Sequence, residues 1–205
     1  MKKTLHFLSG IPRSGSTVLA AILNQNPLTH VSTTSGLVHA LDGLANTWHD
    51  TGLLNENDPQ RTLLAQTMRG LIDAFYEHTD KPVIIDKSRG WPIPIIMNAM
   101  SQVLERKPRI IATVRSVPDC MASFVRIAKP DDLDAFMATG QLADHLKASY
   151  ISLQEGWMYD REAFLMVEYD DLVGNPRQTL EQIHDFLELP HFDYDLSNID
   201  GTSVK

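Results

Sequence analysis

Three stretches of this sequence set cations beside glycine and hydroxyl residues, each directly after a short apolar run. The first is Leu8 to Thr17, LSGIPRSGST. Gly10 and Gly15 permit a tight turn and a close backbone approach. Ser14, Ser16 and Thr17 supply hydroxyl donors, and Arg13 supplies charge. A helix starting at about Ser16 points its free N–H groups and the positive end of its dipole at one spot, where phosphate or sulfate is stabilised. The second stretch is RSVPDCMASF, in which Arg115 ends an apolar run and Ser123 lies eight residues on, two helical turns away. An Arg on the loop and a Ser on the helix can grip a second phosphate together. The third is VIIDKSRGWP, where Asp86, Lys87 and Arg89 follow a buried run. Each feature has a plain structural alternative: a strand–turn–helix, a capped strand end, an exposed basic loop. Three strand ends bearing Arg or Lys on a chain of net charge −8 nevertheless suit a substrate with several anionic groups.

Gly10 and Gly15 have the spacing of the nucleotide-binding loop G-x-x-x-x-G-K-[ST], but Ser16 stands where the Lys belongs. Val83 to Asp86 resembles the magnesium-binding strand of such nucleotidases, so a small-molecule kinase or nucleotidase is the alternative reading. A non-catalytic nucleotide-binding module is the third.

The elements that must position these residues alternate between short and long. Strands are expected at Leu5 to Ser9, Val83 to Asp86, Ile110 to Val114 and Phe164 to Glu168, apolar on both faces as buried parallel strands are. Helices are expected over Ser16 to Gln25, about Ser35 to Trp48, Pro59 to Glu77, Pro94 to Glu105, Pro118 to Ile127, about Leu142 to Met158 and Pro176 to Leu187. Asp58-Pro59 and Asn175-Pro176 read as cap-then-Pro starts. Asn175 with Gln178, and Ser116 with Asp119, read as capping boxes. Asp131, Asp132 and Asp134 read as the capped start of a solvated helix. Strands separated by helices predict an α/β fold: a three-layer parallel sheet with helices on both faces. With 205 residues, 43% hydrophobic and 21% charged, the chain suits one domain over 1–205. The acidic balance speaks against a general nucleic-acid binder, because a duplex would be repelled. No apolar run is long enough for a membrane span. His6 interrupts the first apolar stretch and speaks against a signal peptide, and the single Cys120 fits the reducing cytoplasm. The eight His are scattered, and no metal site is expected.

LSGIPRSGST resembles the 5′-phosphosulfate loop of the sulfotransferases, in its PRSGST form. VRSVPDCMAS resembles their 3′-phosphate motif, with Arg and Ser eight residues apart. VEYDDLVGNPRQTLEQIHDFLELP is similar to the segment after their last central strand. The resemblance runs from about residue 4 to 190 and is nearest to the bacterial and phage-type members. It implies a nucleoside-triphosphatase-like sulfotransferase fold and the donor 3′-phosphoadenosine 5′-phosphosulfate (PAPS), with product PAP and no metal. It further implies that Arg13, Ser14, Gly15, Ser16 and Thr17 cradle the 5′ end, that Arg115 and Ser123 hold the 3′-phosphate, and that Tyr169 touches the adenine. Arg13 and Lys87 become the catalytic cations. The acceptor is a hydroxyl or amine on a small molecule, glycan or peptide.

The sequence departs from the family in two places. Where cytosolic members carry a His as base, Arg89 stands here, and where protein-tyrosine members carry a Glu pair, this chain has Ser32-Thr33-Thr34-Ser35. The candidate bases are therefore Asp86, His39 and Asp42. The family's late Gly- and basic-rich loop is expected beyond residue 190 and is not found there. The polar end HFDYDLSNIDGTSVK reads either as a natural tail or as the visible part of a longer protein. Trp48, Trp91 and Trp157 read as core aromatics or as walls of an acceptor pocket, and about Ser35 to Glu77 reads as the acceptor lid.

Overall fold

A computed structural model describes residues 3–50 and 58–197. Five strands, β1 (Thr4–Gly10), β2 (Thr29–Thr34), β3 (Val83–Lys87), β4 (Ile110–Val114) and β5 (Phe164–Glu168), form one sheet in the order β2-β3-β1-β4-β5. Every neighbouring pair is parallel. Parallel neighbours need crossovers, which helices supply. These are α1 (Ser16–Leu23), α2 (Leu37–Asp50), α3 (Asp58–Phe75), α4 (Pro94–Leu104), α5 (Val117–Ala128), α6 (Leu133–Ala138), α7 (Gln141–Tyr159), α8 (Tyr169–Gly174) and α9 (Pro176–Leu187).

Strand residues alternate between two cores, as the period of two demands. Leu5, Phe7, Ile84, Ile110 and Ala112 pack under α2, α3, α4 and α7. Leu8, Val83, Ile85, Ile111 and Val167 pack under α1, α8 and α9. The three-layer α/β architecture is thus the observed one.

The four expected strands are present, and β2 is a fifth. Its sequence THVSTT is β-branched but polar, and it lies at the sheet edge, where a strand need not be apolar on both faces. Ser116 accepts from the Asp119 N–H, as its capping box requires, and Asp132 caps α6 from the Ala135 N–H. The expected box of Asn175 with Gln178 does not form: the Asn175 side chain caps nothing. Its backbone serves both helices instead: its N–H closes α8 on the Asp171 carbonyl at 2.8 Å, and its carbonyl accepts from the Thr179 N–H of α9 at 3.1 Å. Among the described residues no helix is long and apolar enough to cross a membrane.

Candidate active site

β1 ends at Gly10, with φ 139°, and a Cβ there would lie 2.3 Å from the Thr113 carbonyl oxygen. Only glycine allows β1 and β4 to run this close. The Ile11 N–H then donates to that same carbonyl at 3.1 Å. The Ser14 hydroxyl is buried, 2.6 Å from the Ile11 carbonyl and 2.6 Å from the Thr113 hydroxyl. Sequence reasoning assigns that hydroxyl to the anion; the structure turns it inward, where it staples the loop to β4. What Ser14 can offer a ligand is its backbone.

Arg13 at φ 66° and Gly15 at φ 92° both lie in the left-handed region. For Arg13 this costs of order 1–3 kcal/mol, a strain that collects at binding loops. Such a curl turns backbone N–H groups into a concave nest for an anion. Helix α1 begins at Ser16 with Gly15 as its cap, no side-chain cap bond and no acidic residue in its first turn. Its opening N–H groups therefore face the nest without a side-chain partner.

The cations converge on this nest from adjacent strands. β1 leads off toward β2 and β4 toward β5, on opposite sides, so Arg13 and Arg115 flank the switch point where ligands of open α/β sheets bind. Lys87, at the end of β3, donates to the Thr17 hydroxyl at 2.9 Å. Arg13 Nε donates to the Ser123 hydroxyl at 3.2 Å. Arg115 lies over the Tyr169 ring, 4.0 Å from its centroid, and Nη1 approaches the Arg13 carbonyl at 3.4 Å. Its Nε is buried and has no hydrogen-bond partner among the described residues. Tyr169 in turn covers Gly15, where a Cβ would meet its ring at 2.9 Å. Ser123 is thus bonded to Arg13, not Arg115, and the two expected phosphate clamps are cross-linked to each other. A cavity of about 270 Å³ beside them is lined by Arg115, Ser116, Glu168, Tyr169 and Asp170.

None of Arg13, Lys87, Arg89 or Arg115 pairs with a carboxylate among the described residues. Burial, helped by the Arg89 charge, pushes the Lys87 ammonium below its ordinary pKa, so this charge lacks compensation. An anion placed there restores it.

Two candidate bases stand on the exposed side of α2. His39 and Asp42 both face solvent, and Asp42 accepts from Asn46 at 3.2 Å. Asp86 is not available as a base. It is fully buried, with one oxygen accepting from Trp91 Nε1 at 2.8 Å and the other from the Tyr76 hydroxyl. Burial raises its pKa while the Ser35, Tyr76 and Trp91 bonds lower it. Trp91 is likewise committed to the core, packed on Phe7 and not lining a pocket for an acceptor. Sequence reasoning missed the residues that hold the loop: Thr113, which meets Gly10 and Ser14, and Ser32, whose hydroxyl accepts from the Lys87 N–H at 2.8 Å. Their signal was a small hydroxyl residue at or near a carboxyl end of a strand.

Nothing in the described stretch 191–197 closes over the nest. Asp195 and Gln25 exchange bonds of 2.8 and 2.9 Å, which ties this stretch to the far end of α1. The remaining positions at which the late loop is expected, 198–205, lie outside the described residues. No group of three or more His, Cys, Asp or Glu residues gathers as a metal site among the described residues.

Comparison with known proteins gives the geometry its context. No curated protein matches the chain in sequence. Among solved structures, the sulfotransferase domain from the Synechococcus PCC 7002 olefin synthase superposes with a TM-score of 0.62 at 23% identity, over 94% of this chain and 76% of that one. A sulfotransferase from Alicyclobacillus acidocaldarius gives 0.62 at 12% identity, over 97% and 86%. Mouse sulfotransferase SULT7A1, complexed with PAP, gives 0.57 at 15% identity, over 94% and 61%. At these identities the likenesses show the fold. The model of the sulfotransferase family matches residues 7–194, nearly the whole described chain, and sets the kinase reading aside. The chain belongs to the sulfotransferase family.

Proposed function

We propose that this protein moves a sulfuryl group from PAPS to a hydroxyl or amine of its acceptor, by in-line transfer and without a metal. The observation that carries this reading is the shared rim. Arg13 and Arg115 flank one uncapped helix start, with no carboxylate partner among the described residues and with the buried Arg115 Nε unpartnered. A doubly anionic adenosine carrier fits such a donor set, because the cations and the helix N–H groups of this rim all donate. The backbone from Arg13 to Thr17 holds the 5′ end. Arg115 and Ser123 hold the 3′-phosphate, and for this Ser123 exchanges its bond from Arg13 for one to the ligand. Tyr169, already under Arg115, borders the adenine.

The donor supplies the sulfuryl group and a phosphate leaving group. Charge develops on the bridging and sulfuryl oxygens, and preorganised cations there stabilise it. Lys87 and Arg13 sit on either side of the first turn of α1 and supply them. With Asp86 buried, His39 and Asp42 are left to take the acceptor proton. The lone buried Cys120 supports a site of action in the reducing cytoplasm.

The deciding experiment is calorimetry with adenosine 3′,5′-bisphosphate against ATP, followed by turnover of labelled PAPS over an acceptor panel in the presence of chelator. Tight bisphosphate binding and chelator-resistant transfer are expected. Preference for ATP, or an absolute magnesium requirement, would overturn the proposal. Binding without any transfer would reduce the protein to a nucleotide-binding module.

A further inference from the structure

The basic edge does not end with β3 at Lys87. The residues that follow, Ser88 to Pro92, form a loop that is pinned along its length. The Ser88 N–H donates to the Leu8 carbonyl at 3.0 Å, the Gly90 N–H to the Ser88 hydroxyl at 3.3 Å, and Trp91 Nε1 to the buried Asp86 at 2.8 Å. On one side lies α2, where a Cβ on Gly90 would come within 3.1 Å of Val38. On the other lies α7. Its Ser152 hydroxyl donates to the Arg89 carbonyl at 3.4 Å, and a Cβ on its Gly156 would meet the Pro92 carbonyl oxygen at 2.2 Å. The backbone of Arg89 is therefore held between two helices of the layer opposite α1.

The guanidinium itself is not held. It is accessible and donates to no protein group among the described residues. Partial burial pushes its pKa below the ordinary guanidinium value, and no carboxylate charge offsets that. Its charge instead reaches Lys87, another cation. Arg69 and Arg109 differ, since each meets a carboxylate, and Arg106 spends its donors on the Leu5 and Lys107 carbonyls. A guanidinium offers its donors as a planar fork, which matches a carboxylate or a phosphate two bonds at a time. Lys87 turns toward α1 and Thr17, so it belongs to the nest. Arg89 lies toward α2, the helix that carries His39 and Asp42. The charges of the donor already have Arg13, Lys87 and Arg115, so an anion on Arg89 has to arrive with the other reactant.

We propose that Arg89 selects an acceptor that carries its own oxyanion, gripping that group with its fork while the acceptor hydroxyl or amine lies toward Lys87 and α2. The inference rests on the sulfuryl-transfer reading and names the acceptor class for it: a hydroxy or amino compound bearing a carboxylate or a phosphate.

The test compares each anionic probe with a neutral partner: 3-hydroxybutyrate with 3-hydroxybutyramide, N-acetylserine with its amide, and glycerol 3-phosphate with glycerol. Transfer from labelled PAPS gives kcat/KM for each, and calorimetry on the PAP-saturated protein gives binding. At least one anionic probe should exceed its partner by about 10–100-fold, the scale of a hydrogen bond to a charged group. The first two pairs and the third distinguish carboxylate from phosphate. Arg89→Gln should abolish the preference through KM rather than kcat. Arg89→Lys should keep only part of it, because an ammonium retains the charge without the fork. Affinity for adenosine 3′,5′-bisphosphate should be the same in Arg89→Gln as in the parent. Neutral partners that match every anionic probe would overturn the proposal. So would a preference that survives Arg89→Gln, or a fall in bisphosphate affinity as large as the loss of preference, which would give Arg89 to the donor. Should no acceptor of either kind turn over, the sulfuryl-transfer reading is what fails, and calorimetry on the same pairs decides for Arg89. Should Arg89→Gln fail to fold, Arg89→Lys carries the comparison.

Discussion

At the carboxyl edge of the sheet Arg13, Lys87 and Arg115 bond to hydroxyls, a carbonyl and an aromatic face. At the amino edge Lys107, Arg109 and Arg69 bond to carboxylates. Both edges are basic patches on a chain of net charge −8. Counting cations would not tell them apart; their partners do. Exposed ion pairs add little, with a median of about 0–1 kcal/mol, and leave nothing to recruit a ligand. Cations held together by neutral groups repel one another, and a multiply charged anion relieves that repulsion. Arg106, also at the amino edge, bonds to the Leu5 and Lys107 carbonyls, and the Glu188 charge reaches it as well.

This contrast can be broken by substitution. The largest effect is expected at Lys87. Lys87→Ala should cut sulfuryl transfer by about 10²–10³-fold, the usual loss when one preorganised electrostatic contact is removed. Steady-state turnover with labelled donor reads this directly, and a loss below tenfold would strip Lys87 of its catalytic place. Arg115→Ala comes next. Calorimetry should show adenosine 3′,5′-bisphosphate weakened by about 10–100-fold, as for one hydrogen bond to a charged group, and AMP nearly unaffected. Equal losses for the two nucleotides would refute the 3′-phosphate role.

Gly15→Ala tests the packing beneath the clamps. Its Cβ would sit 2.9 Å from the Tyr169 ring in a left-handed backbone. Denaturant unfolding should register a cost of about 1–3 kcal/mol. Tyr169→Leu in the same chain should recover part of it; no recovery would assign the whole cost to the backbone. The smallest effect is at the other edge. With a folded pKa of about 3 against 6.5 when exposed, His6 refuses a proton that the unfolded chain accepts. Its neutral form therefore favours the fold fully above pH 6.5, and that contribution is lost as pH falls from 6.5 toward 3. The stability of His6→Leu, read by denaturant unfolding, should decline less steeply over this window. An unchanged slope would mean that His6 is not held neutral.

Much of the site was legible because strand ends are legible. Apolar runs stopping at Gly10, Lys87 and Val114 put Arg13, Lys87 and Arg115 on one edge when the strands run parallel. Which way each side chain turned was not legible. Ser14 faces inward because Thr113, far along the chain, offers it a hydroxyl, and Ser123 meets Arg13 rather than Arg115 for a similarly remote reason. In sequence Asp86 resembles a metal-binding or basic carboxylate; in the fold Tyr76 and Trp91 enclose it. β2 was missed because an edge strand can be written in threonine and serine. His6 was visible as a break in an apolar strand, but only its orphaned nitrogens give that break a meaning.

The rim is assembled from four strand ends, and in parallel topology the three after β1 are each reached only through a crossover. Tyr169, which closes the wall over Gly15, leaves the ribosome after Arg13, Lys87 and Arg115, so the nucleotide site proposed above is complete only once β5 is in place. Under that proposal donor is no template for early folding, and its rescue of a weakened variant is confined to chains in which all four strand ends have met.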